Sequence, residues 1–110
     1  MRKSDKHRRE RITTESAELS RQAYYVRSLA GHDKDQILLQ CGRRGRFVLI
    51  CDGGTRGLKQ MKQKNPKHLA ILGSVDAQKW QRIRDIKDTA AANAQIRKLI
   101  KSYQRREKLG

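Results

Sequence analysis

The stretch QILLQC (residues 36–41), followed by GRRG (42–45) and RFVLIC (46–51), decides the prediction of the fold. Two apolar runs flank a short segment bracketed by glycines, which is typical of a β-hairpin with Arg43 and Arg44 at its tip. Centring the turn on these glycines pairs Leu39 with Val48 on one face and Leu38 with Leu49 on the other. Both faces are therefore apolar, and we expect the base of the hairpin to be covered on both sides.

Upstream of the hairpin, the pattern predicts an N-terminal helix. Thr13 or Thr14 is suited to cap it, and Gly31 to end it. The apolar residues that recur at helical spacing between them are Leu19, Ala23, Val26 and Ala30.

Downstream of the hairpin, the pattern predicts helices. Residues 55–64 favour a short helix, and Asn65-Pro66 is a typical helix start. The apolar residues 69–72 fit a helix or a third strand. A last helical region begins after Ser74 or Asp76 and runs to about residue 104, with a break near residues 88–89.

The predicted fold class is therefore α+β. We expect a small single domain with an N-terminal helix, then a β-hairpin, then C-terminal helices. Residues 1–12 are predicted to be a flexible basic arm, residues 13–104 the compact domain, and residues 105–110 a basic C-terminal tail.

Charge is the strongest indication of a partner. The 110 residues contain 27 Lys and Arg but 11 Asp and Glu, a formal net charge of +16. Such an excess opposes compaction, so it favours a polyanionic partner, and nucleic acid is the commonest. No apolar run approaches the length of a membrane span, and the N-terminus lacks the apolar segment of a signal peptide. We therefore expect a cytoplasmic protein without a membrane partner.

The candidate nucleic-acid contacts fall into four groups, and no cofactor is expected. Arginine and lysine can bind phosphate, and Phe47 can stack on an unpaired base. The groups are the arm (Arg8, Arg9, Arg11), the hairpin tip (Arg43, Arg44, Arg46, Phe47), one helix face (Arg56, Lys59, Lys62) and a possible recognition helix (Gln78, Lys79, Gln81, Arg82).

Residues 69–83, LAILGSVDAQKWQRI, resemble a helix-turn-helix. In such a unit a first helix ends at a tight turn, and the second helix enters the major groove of DNA. The resemblance implies that Trp80 and Ile83 hold the second helix on the core. The alternative is an ordinary amphipathic helix that follows a loop.

The two cysteines, Cys41 and Cys51, fit no zinc-binding spacing. The hairpin register described above separates them by about 16 Å along the ladder, which is too far for a disulfide. We expect two reduced thiols that pack as small core residues and no metal site.

The leading functional hypothesis is a non-enzymatic nucleic-acid-binding protein, with a DNA-binding regulatory or accessory factor slightly favoured. One alternative is an RNA-binding or ribosome-associated protein. Another is an adaptor or inhibitor of a nucleic-acid machine such as a polymerase. A homodimer is compatible with the last helix. A small metal-dependent nuclease would need carboxylates and histidines to converge, with His32, Asp33, Asp35 and Asp52 as the available groups.

Overall fold

The computed structural model describes residues 18–109, which form five strands followed by two helices. The elements are β1 (Glu18–Ser28), β2 (Ile37–Arg44), β3 (Phe47–Cys51), β4 (Lys62–Lys64), β5 (Leu69–Ser74), α1 (Ala77–Asp85) and α2 (Thr89–Leu109). The predicted order of N-terminal helix, hairpin and helices is wrong, because the strands come first and both helices lie at the C-terminal end. The arm, with Arg8, Arg9 and Arg11, lies outside the described residues.

The strands form one antiparallel sheet in the order β4-β3-β2-β1-β5. The outer strands β4 and β5 are joined only by residues 65–68. In a flat sheet they would lie about 19 Å apart, whereas five extended residue steps span no more than about 18 Å. A 3₁₀ turn at Pro66–His68 shortens that reach further. The sheet is therefore strongly curled.

The curled sheet has an apolar cluster on each face. The inner cluster consists of side chains from strands alone, with Val26, Leu38, Val48 and Ile50 buried at its centre. The larger, outer cluster joins the opposite face of the sheet to both helices, and Trp80 and Ile96 are fully buried in it. The helices therefore pack on the outside of the curl.

Residues 18–28 form a strand where the sequence pattern predicted a helix. Strand β1 pairs with β2 on one side and β5 on the other. Its alternate residues enter different clusters, with Ala23 and Tyr25 in the outer one and Val26 in the inner one. A central strand that is buried on both faces loses its polar alternation, so its apolar residues matched helical spacing by coincidence.

The helix-turn-helix prediction is also wrong. Residues 69–74 form the edge strand β5, so no first helix precedes the turn. The predicted cap at Asp76 is confirmed, since its carboxylate accepts hydrogen bonds from the backbone N–H groups of Gln78 and Lys79 at 2.9 and 3.0 Å. The predicted break near residues 88–89 separates α1 from α2.

Residues 55–64 form a loop and the short strand β4 in place of the predicted helix. Asp52 organises this loop, because its Oδ1 accepts hydrogen bonds from the N–H groups of Gly54 and Arg56 at 2.7 and 2.9 Å. The loop also contacts α2, where the Leu58 N–H donates to Asn93 at 2.9 Å. The helix that was predicted to start at Asn65-Pro66 is a single 3₁₀ turn, which ends at His68.

The β2–β3 hairpin is confirmed, but its register differs from the predicted one. Arg44 pairs with Phe47 across a two-residue turn, and a bulge lies between Gln40 and Gly42. Leu39 therefore pairs with Cys51, which brings Cys41 diagonally next to Cys51. The two Sγ atoms lie 3.3 Å apart, so the predicted separation is wrong. Both free cysteines are buried in the outer cluster.

A largely buried ion pair joins the end of β4 to the loop between β1 and β2. Lys64 Nζ donates to the Asp33 carboxylate at 2.6 Å and to the Ala30 carbonyl at 2.8 Å. Asp33 also accepts from the Ser28 hydroxyl at 2.7 Å. Burial raises the pKa of Asp33, but the hydrogen bonds from Lys64 and Ser28 and the charges of Lys64 and Lys62 outweigh it, so the pKa falls to about 2.

The lowered pKa of Asp33 makes the fold sensitive to acid. Because the folded pKa lies below the usual value of 3.8, the ionised carboxylate stabilises the fold fully above about pH 4. This contribution, up to about 2 kcal/mol, disappears as the pH falls through about 2. Urea unfolding of the wild type and of the double variant Asp33→Ala/Lys64→Met should show a stability difference that changes across this interval. A difference that stays constant from pH 5 to pH 2 would contradict the assignment.

Candidate nucleic-acid interface

Most acidic side chains of the described residues accept hydrogen bonds or form ion pairs within the fold, whereas Asp35 is exposed. Asp52 and Asp76 accept hydrogen bonds from backbone N–H groups, as described above, and Asp88 accepts one from Ala90 at 3.3 Å. Arg27 forms an ion pair with Glu107, and the Asp33 carboxylate lies between Lys62 and Lys64. The net positive charge therefore remains at the surface, where it can attract phosphate.

A groove of about 780 Å³ lies between the two helices, over the ends of β1 and β5. We call it the helix groove. Its rim carries four cations, its floor is apolar, and Asp76 is its one acidic residue. The cations are Lys79 and Arg82 on α1 and Lys98 and Arg106 on α2; the apolar residues are Tyr25, Ile83, Ile86 and Leu99; the neutral polar residues are Ser74, Gln95 and Ser102.

Arg106 lies next to two stacked tyrosines. The rings of Tyr25 and Tyr103 stack with their centroids 4.3 Å apart, and the Arg106 guanidinium lies 5.5 Å from the centre of the Tyr103 ring. Burial raises the pKa of Tyr25, and the charge of Arg106 and a hydrogen bond from it offset only part of that rise. The Tyr25 hydroxyl is therefore neutral at physiological pH.

The possible recognition helix is α1, and its predicted contacts divide between two surfaces. Lys79 and Arg82 line the helix groove, whereas Gln78 and Gln81 border a second, shallow depression that Arg82 also lines. Gln81 is also engaged within the helix, since it donates to Asp85 at 3.1 Å and accepts from Arg84. The structure therefore brings two of the four predicted contacts together with α2.

The hairpin tip places its predicted contacts close together in sequence and in space. Arg44 and Phe47 flank the turn, and Arg43 and Arg46 are exposed. The Arg46 guanidinium lies 5.3 Å from the centre of the Phe47 ring, and Phe47 is only partly buried. An arginine over an aromatic ring at a strand turn can contact phosphate or a base, so the tip is a second basic surface.

Arg56, Lys59 and Lys62 do not share a face, because no helix forms there. Arg56 and Lys59 are exposed in the loop that packs against α2, whereas Lys62 lies in β4 with its Nζ 3.6 Å from Asp33. The prediction that these three residues form one row of phosphate contacts on a helix face is therefore wrong.

Sequence reasoning missed Lys98 and Arg106 as contacts, since Arg106 was assigned only to the basic tail of residues 105–110 and Lys98 was given no role. They recur with Ser102 at intervals of four residues, which places all three on one helix face. That spacing was visible in the sequence, but its pairing with Lys79 and Arg82 depends on how the helices pack.

The groups proposed for a nuclease do not converge. Asp33 and Asp52 are engaged with Lys64 and with backbone N–H groups, and His32 and Asp35 are exposed in the β1–β2 loop. Across residues 18–109, no three His, Cys, Asp or Glu side chains are grouped closely enough to hold a metal ion. A hydrogen bond with Cys41 and burial raise the pKa of Cys51, so this thiol is a poor nucleophile.

No family model and no curated protein sequence matches the chain. Neither helix of the described part of the chain is long and apolar enough to cross a membrane.

Proposed function

We propose that this protein binds nucleic acid as a non-enzymatic, intracellular factor. The observation that carries the proposal is the helix groove, where four cations from two helices surround an apolar floor and the single carboxylate is already bound to backbone N–H groups. A polymer of phosphates and aromatic bases has the complementary chemistry.

A role as a helix-turn-helix reader of duplex DNA is not part of the proposal, because the first helix of that unit is the strand β5. The basic tip of the β2–β3 hairpin favours RNA as a second candidate partner. There Arg46 and the partly exposed Phe47 can contact an unpaired base, as expected for proteins that read single-stranded loops.

The test is a salt titration of binding to three labelled probes of equal length: single-stranded RNA, single-stranded DNA and duplex DNA. We expect saturable binding at low salt, with the logarithm of the affinity falling linearly as the logarithm of the salt concentration rises. The absence of saturable binding to all three probes at low salt would overturn the proposal.

Removing residues 1–11 should weaken binding to every probe. The segment contains six cations (Arg2, Lys3, Lys6, Arg8, Arg9 and Arg11). If each neutralises one phosphate, the salt slope on a single strand falls by up to about 4. A full-length variant with these six residues replaced by serine is the matched control for chain length, and it should behave like the truncation. An unchanged slope in both variants would show that the arm does not contact phosphate.

A further inference from the structure

We propose that the helix groove binds an unpaired segment of one or two nucleotides, with a base on its apolar floor and phosphates on its cations. This inference rests on the proposed function and deepens it, because it names the form of nucleic acid and the place where it binds.

The apolar floor is the first reason to infer an unpaired strand. In a duplex the bases are stacked and paired, so their faces cannot reach a floor between two helices. An unpaired base has two free faces and can lie against Ile86 and Leu99, which are only partly buried. The volume of about 780 Å³ is within the range of pockets that enclose small molecules, which suits a nucleotide rather than a double helix.

The placement of the cations is the second reason. Lys98 and Arg106 are eight residues apart, which corresponds to about 12 Å along α2, so they cannot hold the same phosphate. Lys79 and Arg82 are three residues apart and are neighbours on one face of α1. The rim therefore offers contacts to at least two successive phosphates, as a strand passing along the groove would require.

The position of Arg106 is the third reason. Its guanidinium lies 5.5 Å from the centre of the Tyr103 ring, which stacks on Tyr25, so an aromatic surface places this cation at the groove. The neutral groups of the lining include Gln95 and Ser102, which can donate to or accept from sugar hydroxyl and base-edge groups. The groove thus combines preformed charge, an apolar surface and neutral hydrogen-bonding groups.

The experiment compares two double variants that remove the same charge. Arg82→Gln/Lys98→Gln alters the helix groove, and Lys34→Gln/Lys67→Gln alters exposed cations of the β1–β2 loop and the 3₁₀ turn, which do not line the groove. All four side chains are exposed, so both variants should fold, which the fluorescence of the buried Trp80 can check. Affinity and salt slope are measured for single-stranded RNA, single-stranded DNA and duplex DNA.

We expect the groove variant to bind single strands about 10- to 100-fold more weakly, with a salt slope smaller by about 1.4, while the control changes by less than about threefold. Photo-cross-linking of a strand that carries thiouridine should label peptides from α1 or α2. Stronger binding to single-stranded RNA than to single-stranded DNA would show that the protein contacts the 2′-hydroxyl. Equal binding would show that it contacts only the phosphates and bases.

Three results would overturn the inference, and they are distinguishable. Equal losses of affinity in the groove and control variants would show that the groove is not the binding site, but they would not contradict the proposed function. A groove variant that loses duplex and single-strand binding by the same factor would refute the preference for unpaired nucleotides. A wild-type protein that binds none of the probes would refute both the inference and the proposed function.

Discussion

Replacing Asp33 by alanine is expected to destabilise the fold by about 3 kcal/mol, because it leaves the Lys64 ammonium buried without its counter-charge. Lys64 is only 8% exposed, and after the substitution the Ala30 carbonyl is the one remaining hydrogen-bond partner described for it. Urea unfolding followed by the fluorescence of Trp80, the only tryptophan, measures the change.

The double variant Asp33→Ala/Lys64→Met tests whether charge is the cause. Methionine occupies a similar volume without a charge, so most of the lost stability should return. A double variant as unstable as Asp33→Ala alone would show that the loss comes from the shape of the β1–β2 loop and not from an unpaired ammonium.

Replacing Gly53 by alanine is expected to cost about 3 kcal/mol, and to lower the melting temperature by more than about 10 °C. Gly53 has φ +79°, a conformation that costs other residues about 1–2 kcal/mol. An added Cβ would also overlap with the Asn93 carbonyl oxygen and lie 2.8 Å from Arg97 Cγ. Because the nearest atom belongs to the backbone of α2, the loop and the helix would have to separate.

The neighbouring Gly54 provides the matched control. Its added Cβ would meet only the Asp52 carboxylate, at an ordinary distance of 3.6 Å. Gly54→Ala should therefore change the free energy of unfolding by less than about 1 kcal/mol. Thermal unfolding of both variants measures the contrast, and equal losses would contradict the close contact between Gly53 and α2.

The sequence predicted those parts of the fold that depend on neighbouring residues. The hairpin follows from two apolar runs around a turn, and the start of α1 follows from the carboxylate of Asp76. Strand β1 could not be recognised, because its neighbour β5 lies more than 40 residues downstream and burial on both faces removes the alternation of polar residues. The hairpin register depended on a bulge that no residue pattern indicated.

The candidate site shows the same division between local and distant information. Net charge indicates a polyanionic partner, which stays a prediction, and Lys79 and Arg82 were named only through the resemblance to a helix-turn-helix, which the structure does not form. Lys98 and Arg106 enter the site only because α2 packs beside α1 and over Tyr25. The groove is formed by two helices and two strands through tertiary packing, so the sequence shows how many cations the chain has but not which of them meet in the groove.

The pairing of β1 with β5 has a consequence for the order in which the chain folds. During synthesis β2 and β3 can pair as soon as they emerge, because their contacts are local. One edge of β1 has no partner until residue 74 has been made, and its outer face stays uncovered until α1 and α2 follow. We therefore expect the sheet to be completed slowly, and only after the ribosome has released the last helix. Until then the nascent chain exposes the apolar edge of a strand.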